Sequence, residues 1–228
     1  MITLAITTHN RPEMTFDSFS DVLNHDLISE VLIVDDHSEL PNFIRLKELC
    51  EGNSKIKLIR NEKNLGCYHN KRKAVLESKN EWVILFDSDN KIDRSYIDSI
   101  ASIELDPNTI YAPEFAKPHF DYRGFSGVTM SKSNVSKYAS QDKFDCLINT
   151  CNYLVCRDEY LSAWKDHLEP WTADTLFMNY NWLMAGNKIH VVKGMQYMHL
   201  VHDGSHYKEH VNKTGNLADE VMKKLKRS

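Results

Sequence analysis

Short apolar runs recur along the first part of the chain, and each ends abruptly in polar side chains. Ile2 to Thr7, Val31-Leu32-Ile33-Val34, Ile56 to Ile59 and Trp82 to Phe86 have the length and composition of buried strands. Between them the apolar positions space out as helices do. Pro12 to Leu23 predicts one helix, with Pro at its first turn, where the missing N–H is no loss. Phe43 to Cys50 predicts a second, which Gly52 would stop. Tyr68 to Ser78 predicts a third, basic helix after Gly66. Strand and helix signals in alternation predict βαβ units, an α/β class and a mostly parallel central sheet flanked by helices.

The later pattern is less regular. Tyr111 to Ser140 is rich in Ser, Lys, Gly and aromatic residues and has weak periodicity, so it reads as a long loop-and-strand excursion forming a binding lip. A short strand is predicted within Leu147 to Cys156, and helices over Asp158 to His167 and Thr175 to Ala185, the latter closed by Gly186. Ile189 to Val192 predicts a strand, and Leu217 to Arg227 a basic helix. No repeat and no break in composition divides the chain, so 1–228 is read as one domain.

Composition narrows the classes. At 228 residues the chain suffices for one large domain with a real core. A net charge of −4 gives no electrostatic reason to expect nucleic acid as a partner. No apolar stretch approaches bilayer-spanning length. The start, Met1 to Ile6, lacks a basic leader region and reads as a first strand rather than a signal peptide. Cys50, Cys67, Cys146, Cys151 and Cys156 form no CxxC pair, which predicts free thiols in a reducing, cytoplasmic compartment.

The candidate chemistry sits where the strands end. The fourth apolar run stops at Asp87-Ser88-Asp89, placing two carboxylates at the carboxyl edge of the predicted sheet, where open α/β proteins keep their ligands. Hard divalent ions such as Mg²⁺ and Mn²⁺ favour carboxylate oxygen and bridge it to substrate phosphates. The pattern predicts an enzyme that uses a metal-bound nucleotide diphosphate.

Four motifs in order extend that reading. Thr7-Thr8-His9-Asn10-Arg11-Pro12 follows the first strand and Val34-Asp35-Asp36-His37-Ser38 closes the second. Asn64-Leu65-Gly66 precedes the basic helix, and the Asp-Ser-Asp motif ends the fourth strand. Together they resemble the family 2 glycosyltransferases of the GT-A fold. The resemblance implies a nucleotide-binding half over 1–105, an acceptor-binding half over 106–216 with a small second sheet, and a C-terminal helix or tail over 217–228.

The resemblance also implies roles. Asp36 would hydrogen-bond the nucleobase, commonly uracil, with Thr8 and His9 in the same pocket. Asn64 and Gly66 stand for the family's Asn-x-Gly. The family's following Arg-Asn pair falls on Lys71-Arg72, a departure in which a cation still faces the diphosphate. Asp87 would meet the ribose or a metal-bound water, and Asp89 would hold Mn²⁺ or Mg²⁺ directly, joined by His202 in preference to His199. Asp174, ahead of a helix ending Met184-Ala185-Gly186, stands for the general base, although Ala173 replaces the first acid of the family's pair; Glu169 is its rival. Trp171 and Asn152 are candidates for contact with the acceptor.

The activity implied is transfer of a sugar from a nucleotide-diphospho-sugar, most commonly a UDP-sugar, to a hydroxyl of a glycan or lipid-linked acceptor, with inversion. Peripheral contact of the basic tail with an anionic membrane surface is compatible with this. Two alternatives stand beside it. A sugar-phosphate nucleotidyltransferase would carry a Gly-rich loop after the first strand, and Thr7 to Pro12 contains no Gly. A non-catalytic nucleotide-binding module would have no need of the Asp-Ser-Asp motif.

Overall fold

A computed structural model describes residues 1–166, 173–200 and 217–227. Four strands form its parallel half: β1 (Ile2–Thr8), β2 (Ile28–Asp35), β3 (Ile56–Arg60) and β4 (Trp82–Asp87). Helices α1 (Pro12–Phe19), α2 (Leu40–Cys50) and α3 (Cys67–Glu77) connect them. Every residue of β1 is buried, because it runs between β2 and β4 in the middle of the sheet. The register puts Thr8 beside Asp35, Thr7 beside Asp87, and Asp35 beside Arg60, so the polar ends of the four strands share one edge. β1 leads to β2 on one side and borders β4 on the other, the kind of switch point at which α/β sheets open a crevice.

The chain continues through β5 (Asn90–Lys91) and α4 (Arg94–Ala101). Sequence reasoning missed α4, although its start is marked: Asp93 caps the helix by accepting from the Tyr96 N–H, and Tyr96, Ile97 and Ile100 form its buried stripe. β6 (Thr109–Lys117), β7 (Phe120–Asp121) and β8 (Thr129–Ser131) follow, then α5 (Phe144–Ile148), β9 (Tyr153–Cys156), α6 (Arg157–Ala163), α7 (Asp174–Met184) and β10 (Lys188–His199). A last helix, α8, covers 217–225.

The small second sheet expected on the acceptor side is continuous with the main one. The strand order is β3-β2-β1-β4-β9-β6-β10-β5, with β7 on β6 and β8 on β10. β9 makes the junction: it runs antiparallel to β4 and bridges β6 through Tyr111 and Leu154. The excursion predicted from Tyr111 therefore begins as a long buried strand. Pro113 weakens its strand signal, and Pro113 pairs with Val192 where the β6–β10 register shifts, a place that tolerates a missing N–H. The same irregularity, around Gly194 at φ 84°, hid the second half of β10 from pattern reading. α3 packs on β1 and β2 and touches α6 and α7, which carries its residues toward both halves.

Candidate active site

The turn after β1 is tied internally. The Thr8 and Thr15 hydroxyls lie 2.6 Å apart, and Thr15 Oγ1 donates to the Arg11 carbonyl at 2.7 Å. His9 Nδ1 meets the Asp36 carbonyl at 3.1 Å, so that nitrogen carries the proton. Asp36 itself is buried and accepts three hydrogen bonds: Asn61 Nδ2 and Leu65 N on Oδ1, both at 2.8 Å, and Gly66 N on Oδ2 at 2.9 Å. Asn64 Oδ1 also accepts from Gly66 N, at 3.0 Å. Gly66 has φ 81°, a conformation that strains any residue with a Cβ. Asp36, Asn64 and Gly66 thus form one knot that fixes the turn before α3. Burial raises the Asp36 pKa against the pull of those donors. A carboxylate offers roughly four acceptor positions, so about one remains for a base N–H.

The acids form a second cluster. Asp87 ends β4, and its N–H donates to Asn152 Oδ1 at 2.8 Å. Lys71, from α3, is buried between two carboxylates: its Nζ lies 2.7 Å from Asp174 Oδ2 and 3.2 Å from Asp87 Oδ1. Thr175 Oγ1 is 3.4 Å from the same ammonium. Asp174 opens α7 after Ala173, which sits at φ 50°, so its carboxylate lies at the positive end of the helix. Burial alone would raise the Asp174 pKa, but Lys71 outweighs it and holds the carboxyl below the usual range. The Asp87 carboxyl is pushed up by burial and by Asp89 and Asp174, against Lys71. Burial would lower the Lys71 pKa, but the two acids carry it well above the ordinary lysine value.

Asp89 is held separately. Arg11 Nη1 donates to its Oδ2 at 2.7 Å. Asn90 Nδ2 donates to Asp89 Oδ1 at 3.1 Å, and Asn90 Oδ1 accepts from His199 Nδ1 at 2.9 Å. Sequence reasoning missed Arg11, Asn61 and Asn70. Arg11 stood in the quoted Thr-rich motif but was assigned nothing. Asn61 Nδ2 joins Asp36 to Asn70 Oδ1, and Asn70 in turn donates to the Val34 carbonyl, so α3 is sewn to β2.

Asp87 and Asp89 have the donor chemistry of a hard divalent ion, two carboxylates one residue apart at a strand end. Each already faces a protein cation, Lys71 or Arg11. Among the described residues no group of three His, Cys, Asp or Glu side chains converges as a metal site. His202, favoured as third ligand, lies outside the described residues, as do Trp171 and the rival base Glu169.

Two expected residues take other places. Arg72 does not accompany Lys71 to the acids. Its guanidinium stacks 4.8 Å over the Trp164 ring, because adjacent residues on a helix diverge by about 100°. Asn152, expected at the acceptor, is buried at φ 60° and supports Asp87; its own carbonyl accepts from Tyr96 Oη at 2.5 Å. Its side chain is enclosed and supports the end of β4.

The model of glycosyl transferase family 2 matches residues 3–162. No curated protein matches the chain in sequence. Among solved structures, S. aureus TarS 1–349 in complex with UDP-GlcNAc superposes with TM-score 0.71 at 14% identity, covering 96% of this chain and 66% of that one. GalNAc-T7 with UDP, GalNAc and Mn²⁺ gives TM-score 0.68 at 16% identity, covering 88% and 44%. The mannosyltransferase PcManGT from Pyrobaculum calidifontis, with GDP-Man and Mn²⁺, gives 0.68 at 14%, covering 95% and 61%. At such identities the likeness is one of fold, and that fold is GT-A. The chain spans less than two thirds of the length of these structures.

Proposed function

The chain belongs to glycosyl transferase family 2 and is a glycosyltransferase, and from this premise we propose that it moves a sugar from a UDP-sugar to a hydroxyl of a glycan or lipid-linked acceptor, with inversion. The observation that carries the proposal is the cluster Asp87–Lys71–Asp174, which sets a candidate base beside the strand end that would face the donor. Neighbours of the same fold that hold UDP-GlcNAc, UDP or GDP-Man support a nucleotide donor.

In this reading Asp87 and Asp89, with His202, would hold a divalent cation. That ion would supply Lewis-acid stabilisation of the leaving diphosphate. Asp36 and the turns around Thr8–His9 and Asn64–Gly66 receive the nucleoside. Asp174 accepts the proton of the attacking acceptor hydroxyl as the new bond forms at the anomeric carbon and the bond to the diphosphate oxygen breaks. Its low pKa keeps it ionised at neutral pH. Lys71 balances both acids.

All 228 residues act as one catalytic domain in this proposal. No described helix is long and apolar enough to cross a membrane. A cytoplasmic location, and contact of the basic tail with an anionic surface, belong to the same reading.

A thermal-shift and turnover panel of UDP-, GDP- and dTDP-sugars, with Mn²⁺ or EDTA, tests it. A ligand that binds only the folded chain raises the melting temperature. UDP-sugars should do so in Mn²⁺ and lose the effect in EDTA. Equal shifts with and without metal would remove the cation, and a stronger response to another nucleotide would replace uracil.

A further inference from the structure

Asp89 is the carboxylate that the glycosyl-transfer reading gives to the divalent ion, and it already faces a protein cation. Arg11 Nη1 donates to its Oδ2 at 2.7 Å. The two residues lie 78 positions apart, and the register of β1 on β4 brings their turns together, with Thr7 beside Asp87. Arg11 stands at the N-cap of α1, where its carbonyl accepts from Thr15 N at 2.9 Å and from Thr15 Oγ1 at 2.7 Å. Its Nε donates to the His9 carbonyl at 3.3 Å. Thr15 thus fixes the backbone of the turn, while the guanidinium spans from the end of β1 to the end of β4.

The two cations among these acids differ in freedom. The Lys71 side chain is 8% exposed and lies between Asp87 and Asp174. The Arg11 side chain is 20% exposed and that of Asp89 25%. An ion pair at that depth can open to solvent, whereas withdrawing Lys71 would leave Asp87 and Asp174 uncompensated. A guanidinium does not give up its proton, so Arg11 can release Asp89 only by swinging away. Charge decides when it swings. Asp87, Asp89 and Asp174 face Arg11 and Lys71, three acids against two cations. A bare divalent ion would have to take Asp89 from Arg11 and stay close to Lys71. The same ion carrying a diphosphate arrives with its charge largely neutralised, and the phosphate oxygens offer the released guanidinium a partner that fits its fork.

We propose that Arg11 occupies the cation-binding carboxylate until the donor arrives, and then exchanges Asp89 for the donor's diphosphate. Arg11 thereby holds off the metal on its own and admits it together with the nucleotide. The inference rests on the glycosyl-transfer reading and deepens it by assigning the control of its cation site to one side chain. A purely structural ion pair predicts the opposite sign: its removal would loosen Asp89 and weaken the grip on the ion.

Titration of the whole chain with Mn²⁺ decides it, followed by the electron paramagnetic resonance signal of the free ion, with and without UDP and against UDP alone. The unaltered chain should bind Mn²⁺ weakly by itself and at least about tenfold more tightly with UDP. Arg11→Gln should bind Mn²⁺ alone about tenfold more tightly than the unaltered chain does, because one charge-assisted hydrogen bond no longer has to be broken. UDP should then add little, and by linkage Mn²⁺ should raise UDP affinity less in the variant, as read by calorimetry. Arg11→Lys, shorter and without the fork, should lie between, and carries the test if the glutamine variant does not fold. Unchanged or weaker binding of Mn²⁺ alone to Arg11→Gln would overturn the proposal and leave the pair a structural tie. Equal Mn²⁺ affinity of the unaltered chain with and without UDP would overturn it as well. Asp89→Asn separates this inference from the reading beneath it. If that variant keeps Mn²⁺–UDP binding intact, Asp89 holds no ion, and the cation reading falls together with the role of Arg11. If it loses that binding while Arg11→Gln changes nothing, only the role of Arg11 falls.

Discussion

The parallel half and the antiparallel half of the sheet contribute to the site in different ways. In the parallel half, Thr8, Asp36 and Asp87 sit at or next to strand ends, and neighbouring register lines them up. Their placement follows from local pattern: wherever an apolar run stops, the next residue faces the crevice. In the antiparallel half, Asn152 and Asp174 follow residues or occupy positions with left-handed backbone, outside any strand pattern. They reach the other half through side chains, Asn152 to the Asp87 N–H across 65 residues and Asp174 to Lys71 across 103. One half is a frame set by chain periodicity, and the other is a set of tertiary contacts made to that frame. If the division holds functionally, substitutions in the first should move donor affinity and substitutions in the second should move turnover.

Asp174→Asn is the strongest way to break that division. The amide keeps the shape of the carboxylate but cannot take a proton. Loss of a general base lowers turnover by roughly 10²–10⁴-fold. The expected result is a kcat lower by that amount, with Mn²⁺–UDP affinity unchanged by calorimetry. Retained turnover would move the base elsewhere, Glu169 being the next to test. A parallel loss of donor affinity would show that the two halves do not separate at this residue.

Lys71→Met tests the one side chain that belongs to both. Without that ammonium, the rise that burial imposes on the Asp174 pKa is opposed only by hydrogen bonds from the backbone N–H groups of Thr175 and Asp174 itself. The acid limb of the kcat–pH profile should therefore move to higher pH, and kcat and donor KM should worsen together, by about 10² in kcat/KM. Stability follows the same sign. Asp174 is depressed in the folded chain, so its contribution is present above the unfolded carboxylate value and lost as pH falls through the folded one. Removing Lys71 takes away the larger part of that contribution, and breaking a buried pair costs about 3–5 kcal/mol at neutral pH. Urea unfolding at neutral and acid pH should show the variant's deficit shrinking in acid. Lys71→Arg should recover part of both effects, whereas an unmoved acid limb would separate Lys71 from the base.

How far these residues were legible follows from the same contrast. Asp36, Asn64 and Gly66 are named by motif and do meet, because a strand end and a turn before a helix are local features. Lys71 and Arg72 were left together, since spacing alone does not say which of two adjacent cations turns inward; packing of α3 on β1 and β2 decides it. Arg11 was passed over because its partner Asp89 lies 78 residues away and only the register of β1 on β4 brings them close. The short strand expected within Leu147 to Cys156 is β9, but its place as the junction, held to β6 by a single bridge, was not legible, and a bulge hid the far half of β10. That Asn152 is buried and accepts from the Asp87 N–H could not be read from its motif, because burial is a tertiary property.

Asn152→Gly sharpens the comparison at its smallest scale. Glycine accepts the φ of 60° without strain, so the backbone stays and only the side-chain acceptor is lost. The Asp87 N–H would then be buried without its partner, at a cost of about 1–3 kcal/mol. Because that N–H sits on the acid at the end of β4, the loss should appear as a fall of roughly three- to tenfold in Mn²⁺–UDP affinity, with kcat at saturating donor nearly unchanged. An antiparallel-half residue would then behave as part of the donor frame, which is where its hydrogen bond puts it. A fall in kcat with donor affinity intact would instead return Asn152 to the acceptor side and show that burial in the donor-free chain is a poor guide to its role.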